Sequence, residues 1–239
     1  EISKQTGDNQ LEQAAKDYVK SYLERNTAKN GIILWGNHYF YDVLQDTTVK
    51  FGSSESPRPV NFDTEEGDYH EMRPIIPPWE LLYSWFPDRT ERHIRESTRL
   101  HLANSQTGEF NRHANQKSEY AFLESGSILI HSLAFLYHKT QDPELLETAQ
   151  DILDFSFSNR HPETGLVINS PSRQRWDQYT STTEIGLWGL NVLKASEYVP
   201  DDTRRNWLEV VQQAIQPWLE NGYDAEKGMF YGSLNVTNA

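Results

Sequence analysis

The residues able to do chemistry fall into four groups along the chain. Trp35, His38, Tyr39, Tyr41 and Asp42 follow Gly31, and His70-Glu71-Met72-Arg73-Pro74 stands further on. Asn111-Arg112-His113 follows Gly108, with Glu119, Tyr120 and Glu124 close behind. After Gly165 come Asn169, Arg173, Arg175, Trp176, Asp177 and Tyr179, then Thr182 and Glu184. Guanidinium and amide groups suit a carboxylate ligand, and imidazole and phenol suit proton transfer. Aromatic rings on polar loops suit stacking on sugar rings. Each group also has a plainer reading. Arg beside Asp or Glu commonly forms solvated pairs of little worth, and tryptophans are often core. His131 and His138 lie on an apolar stretch and read as structural.

The signatures of other chemistries are missing. The sequence holds no His-Glu-x-x-His, no Gly-x-Ser-x-Gly, no phosphate-binding glycine loop and no dinucleotide fingerprint. Zero cysteines remove disulfide scaffolds, thiolate zinc sites and cysteine nucleophiles together. No cofactor is indicated. Calcium is the one metal that the acidic run Asp63-Thr-Glu-Glu-Gly-Asp68 would suit. That run lacks EF-hand spacing, so a solvated acidic loop is the expectation. The net charge of −13 over 239 residues argues against a general nucleic-acid binder. No apolar run approaches the ~20 residues of a membrane span. The polar start, Glu1 to Gln10, has neither a starter Met nor a signal peptide, as in a processed secreted protein or a trimmed chain.

The groups need elements to hold them, and the periodicity is helical. Leu11, Ala14, Ala15, Tyr18, Val19, Tyr22 and Leu23 recur at helical spacing. Further helices are expected over Trp79–Phe86, Thr90–Ala103, Ser118–Lys139, Pro143–Phe157, Thr182–Tyr198 and Asp201–Glu220. Asp142 reads as one N-cap, and Asp201 or Asp202 as another. Gly126, in an apolar helix, would let a neighbour pack closely. Residues 42–76 read as irregular.

A repeat emerges when the helix ends are compared. Each closes in a polar turn, a glycine and a short strand-like apolar piece, at Gly31, Gly108, Gly165 and Gly228. The last three glycines are 57 and 63 residues apart, and a turn of positive φ would explain them. Thr90–Ala103, Pro143–Phe157 and Asp201–Glu220 would form an amphipathic outer layer. Trp79–Phe86, Ser118–Lys139 and Thr182–Tyr198 would form the inner one. The expected fold is all-α, an α/α toroid of about three to four helical hairpins with short β-strand pieces in the loops. The chain is read as a single domain over 1–239. Six hairpins at the same spacing would take about 6 × 60 = 360 residues, so a small toroid and the first part of a larger one are the two options. The second is favoured.

In such a layout the loops after each glycine lead to the amino ends of the inner helices, which favour anionic or hydroxyl-rich ligands. The blocks Leu34-Trp-Gly-Asn-His-Tyr-Phe-Tyr-Asp42, His70-Glu-Met-Arg-Pro74 and Phe110-Asn-Arg-His113 then resemble α/α-toroid carbohydrate-active proteins. The nearest resemblance is to bacterial pectate-lyase-like proteins of the family 10 type, with six-hairpin glycosidases as the wider group. It implies a secreted or periplasmic enzyme acting on polysaccharide.

A lyase on uronate chains must neutralise a carboxylate, remove the C5 proton and protonate the leaving oxygen. Arg112, Arg173 and Arg175 are candidates for the first task, His113 or His38 for the base, and Tyr39 or Tyr179 for the acid. Trp35, Trp176, Asn111, Glu124 and Asp177 are further candidate substrate contacts. A glycoside hydrolase would instead need a carboxylate pair, drawn from Asp42, Glu71, Glu80, Glu124, Asp177 and Glu184. A non-catalytic sugar-binding module is the third option. The enzyme readings expect His38, Arg112, His113, Arg175 and Tyr179 on one concave surface.

Overall fold

A computed structural model describes residues 2–35, 39–50, 58–60, 70–116, 121–170 and 178–237. The chain divides into two compact units. The first comprises 1–70 and 80–96, the second 71–79 and 97–239.

In the first unit, α1 (Ile2–Thr6) precedes α2 (Asn9–Arg25). Asp8 starts α2 by accepting the Gln10 N–H at 2.9 Å, an ordinary side-chain cap. After α2 the chain turns through Gly31, and the phenol of Tyr22 donates to the Leu34 carbonyl at 2.7 Å. Arg92 donates to the carbonyls of Lys29 (2.7 Å) and Asn30 (3.1 Å), and His93 Nδ1 accepts the Ile33 N–H at 3.0 Å. Residues 42–76, expected to be irregular, contain strands. β1 (Tyr39–Asp42), β2 (Thr47–Lys50) and β3 (Arg58–Pro59) form an antiparallel sheet in that order. Its strands are too short for a two-residue alternation to stand out. α3 (Trp79–Trp85) stands where a more apolar inner helix was expected over Trp79–Phe86. It spans under two turns, and Glu80, Leu81 and Ser84 are exposed.

α4 (Pro87–His101) begins in the first unit and ends in the second. β4 (Leu102–Asn104) and β5 (Glu109–Phe110) then make a hairpin through Gly108. α5 (Leu123–Thr140) is buried along most of its length and packs on both α6 (Pro143–Ser158) and α7 (Thr182–Ala195). α7 continues into a 3₁₀ turn, Ser196–Tyr198, and packs on α8 (Asp201–Gly222). β7 (Tyr223–Asp224) pairs with β8 (Met229–Phe230), and β6 (Tyr179–Ser181) with β9 (Ser233–Asn235). Of the two expected caps, Asp142 accepts the Glu144 N–H at 3.2 Å. Asp201 is instead the first helical residue and Pro200 the cap, with no side-chain bond. Its carboxylate still lies where the helix dipole favours it.

The repeat is real in backbone terms. Gly31, Gly108, Gly165 and Gly228 all have φ between 64° and 100°. Gly108 is the most constrained, because a Cβ there would collide with the backbone of Asp151 on α6. Gly126 lets the ring of Phe110 lie against α5, the close approach its position suggested. Both positions tie a turn or strand of the repeat to a helix of the same unit.

Candidate active site

The site is assembled in the second unit from two loop segments. His101, at the end of α4, accepts at its backbone carbonyl the Asn111 N–H (2.8 Å), and its Nδ1 lies 2.9 Å from the Asn111 carbonyl. His101 is fully buried, which lowers its pKa to about 4 against the pull of that backbone bond. The Asn111 side chain accepts the His113 N–H at 2.8 Å. Residues 111–113 are therefore held in shape before any ligand arrives. The 71–73 segment joins them through a bridge between Glu71 and His113 and a bond from the Met72 N–H to the Arg112 carbonyl (2.9 Å).

That pairing makes Glu71 the hub of a charged cluster. Its Oε1 lies 2.9 Å from Arg112 Nε and 3.4 Å from His113 Nε2. Its Oε2 accepts from Arg73 Nη2 at 2.9 Å. The largest influence on the Glu71 carboxyl is burial, which raises its pKa. The His113 hydrogen bond and the charges of Arg112, Arg73 and His113 together outweigh it, leaving the value at about 2. Burial and the neighbouring Arg112 both lower the pKa of Arg73. The two arginines and Glu71 sum to one positive charge, with His113 added when protonated. The His113 side chain is 38% exposed against 15–16% for Glu71, Arg73 and Arg112. The imidazole is thus the member that meets solvent.

Arg112 also lies over the ring of Phe122, 4.8 Å from its centroid, at the amino end of α5. In the first turn there, Glu124 is 1% exposed, and its carboxylate oxygens have no hydrogen-bond partner among the described residues. Its N–H donates to Glu184 Oε2 at 3.2 Å. Glu184, 9% exposed, has its pKa raised to about 7 by burial, against the opposing charge of Arg112.

Of the residues singled out in the sequence, Arg112 and His113 come together, with Asn111 buried beneath as their support. Tyr179 belongs to the same unit, starts β6 and is 40% exposed. Trp35 and Tyr39 belong to the first unit. Trp35 meets His93 edge-on at 4.9 Å, while Tyr39 is 4% exposed beneath Lys50. His38, Arg173, Arg175, Trp176 and Asp177 lie outside the described residues, as does the acidic run 63–68. Among the described residues, no three or more His, Asp or Glu side chains gather as a metal cage. Sequence reasoning left Arg73 off its site and named Glu71 and Glu184 only as spare carboxylates. The pointer was the mixed His-Glu-x-Arg block, whose charge balance with Asn-Arg-His becomes visible once the two pair.

Solved structures share the fold. An unsaturated glucuronyl hydrolase from Bacillus sp. GL1 superposes with a TM-score of 0.56 at 14% identity, over 96% of this chain and 65% of that one. A family 105 glycoside hydrolase from C. acetobutylicum ATCC 824 gives 0.53 at 10%, over 67% of this chain and 48% of that one. A D-mannose isomerase gives 0.50 at 12%, over 67% and 47%. The chain thus spans between about half and two thirds of the length of these proteins. The likeness bears out the α/α-toroid expectation. The family model described as periplasmic pectate lyase matches residues 1–121, just over half of the 239 residues and the stretch containing Glu71, Arg73, Arg112 and His113. With that match the pectate-lyase resemblance is borne out, and the chain belongs to the periplasmic pectate lyase family.

Proposed function

We propose that this chain acts on uronate-containing, pectin-like polysaccharide and cleaves it by β-elimination, in the periplasm or outside the cell. The observation carrying this reading is the Glu71-centred cluster, a net-positive spot with an exposed imidazole on a chain of net charge −13. Arg112 and Arg73 neutralise the C6 carboxylate, which acidifies the adjacent C5–H. Glu71 turns His113 by its Nε2, so Nδ1 is the base that removes the C5 proton. The electron pair forms the C4–C5 double bond as the C4–O4 bond breaks, and O4 takes a proton. Tyr179, exposed and in the same unit as His113, is assigned that proton transfer in preference to buried Tyr39. Arg173, Arg175, Trp176 and Asp177 are proposed sugar contacts. Asn111 serves by fixing the His113 backbone.

The test is a panel of uronate and neutral polysaccharides, read by ultraviolet absorbance of unsaturated product and by reducing ends. Polygalacturonate should yield absorbing product, and His113→Ala should remove it. Product formation undiminished in that variant would sink the base assignment. A second reading rests on Glu184 meeting the amino end of α5 beside Glu124, which brings two carboxyl-bearing residues together. A hydrolase would use such a pair, and would release reducing ends without the absorbance.

A further inference from the structure

Three of the four glycine turns are closed by a helix that follows them in sequence. A Cβ at Gly31 would meet Arg92 of α4, one at Gly108 the backbone of Asp151 on α6, and one at Gly165 the ring of Pro217 on α8. At Gly228 it would meet nothing within 4 Å among the described residues. The residues after each glycine behave alike. Ile32, Ile33, Leu166 and Val167 are buried, as is Phe110, whose ring lies against Gly126 of α5. Met229 and Phe230 are instead 55% and 44% exposed, and Tyr231 beside them is exposed too. The inner helices differ in the same way. Every residue of α5 from Leu123 to Leu136 is buried, with α6 and α7 packed on the helix. α7 packs on α5 and α8, yet Gly186, Leu190 and Leu193, one stripe at helical spacing, stand exposed. At the amino end of α7, the Thr182 hydroxyl donates to the Tyr231 carbonyl, which joins the stripe to the uncovered end of β8.

Proteins built of stacked repeats close a free end with a polar face. This face is apolar, and α7 carries no charge between Glu184 and Lys194 on a chain of net charge −13. We propose that the α7 stripe and the end of β8 are the docking face for one more helical hairpin of the same repeat, carried by the same polypeptide. Its inner helix lies along α7 and over Phe230, with a glycine or alanine at the crossing, as Gly126 provides for Phe110. Its outer helix closes on Gly228, as α8 closes on Gly165. The contact continues the α5–α7 packing already present in this unit. In all three covered turns the covering helix comes from a later stretch of the same chain, which favours a following hairpin over a second copy. The inference is independent of the reaction assigned above.

The experiment compares the 239 residues with the polypeptide continued through whatever its reading frame encodes after Ala239. Anilinonaphthalene sulfonate fluorescence, sedimentation velocity and urea unfolding are read on both, with Leu190→Glu and the milder Phe230→Ala in each. The shorter chain should bind the dye, and continuation should cut the fluorescence at least about fivefold while the protein sediments as a monomer. Leu190→Glu should lower the urea midpoint of the continued polypeptide by about 1 M and leave that of the shorter chain little changed. Phe230→Ala should show the same contrast at smaller size, and keeps it readable if the continued Leu190→Glu protein does not fold. A continuation without an apolar helix, dye binding unaffected by it, or equal effects of Leu190→Glu at both lengths overturns the inference. So does a compact dimer of the shorter chain that binds no dye and is split by Leu190→Glu, which makes this face a contact between copies.

Discussion

Glu71 and Glu184 are the same residue type, both feel Arg112, and their environments drive them in opposite directions. Glu71, at the loop end of the cluster, is held at about 2, and Glu184, at the amino end of α7, is raised to about 7. Burial pushes both upward. Glu71 overcomes it because two guanidiniums and an imidazole contact its two oxygens. Glu184 has one backbone N–H and the field of a single arginine already paired elsewhere. Desolvation therefore wins at one position and loses at the other. The number of donors on a carboxylate, more than its depth, decides its state. Such a split between two carboxyls is how a protein keeps one group permanently charged and another responsive.

The largest expected effect follows from removing the carboxylate with the donors. Glu71→Gln leaves Arg73, Arg112 and His113 without their common anion. Product formation should fall at least about a hundredfold and stability by about 3 kcal/mol, read by absorbance assay and urea unfolding. Retention of activity within about twofold would break the contrast. The next concerns pH. The folded-state pKa of Glu184 lies above its ordinary 4.5, so its contribution to stability is fully present below 4.5 and lost as pH rises through about 7. Glu184→Gln should flatten that slope by about 3 kcal/mol between the two limits, in urea midpoints taken on either side. For Glu71 the sign reverses: its stabilisation is present above 4.5 and lost as pH falls towards about 2.

Arg112→Lys sharpens the comparison further. The ammonium keeps the charge but lacks the planar fork that can serve Glu71 and a substrate carboxylate together. KM on polygalacturonate should rise about tenfold, the worth of one charge-assisted bond. The smallest effect belongs to Ser181→Ala, which removes the α7 cap and loosens the turn bearing Glu184. It should cost about 1 kcal/mol by thermal unfolding and leave Glu71 titrating as before.

The helices were legible because their signals are local. Asp142 before Pro143, the apolar spacing of α2 and the glycines of four turns each act within a few residues. The Asp201 cap was misread for the same reason: Pro200 before it already holds an extended backbone, so the cap moved one residue back. The β1–β3 sheet escaped notice because each short strand is stabilised by a partner outside its own window. At the site, the Asn-Arg-His block was recognisable by residue type. The central position of Glu71 was not, since it depends on pairing with a segment about forty residues away.

What the sequence by itself determined was the run of helices, the left-handed glycine turns joining them to short strands, and the presence of guanidinium, imidazole and carboxyl groups in the following loops. Each depends on backbone preferences and capping that neighbouring residues satisfy. Only the tertiary structure decided that Glu71 would be the hub of Arg73, Arg112 and His113, and that Glu184 would reach past its own helix to cap α5. The physical reason is that charge state and hydrogen-bond partner are set by burial and by groups distant in sequence, quantities no local window contains.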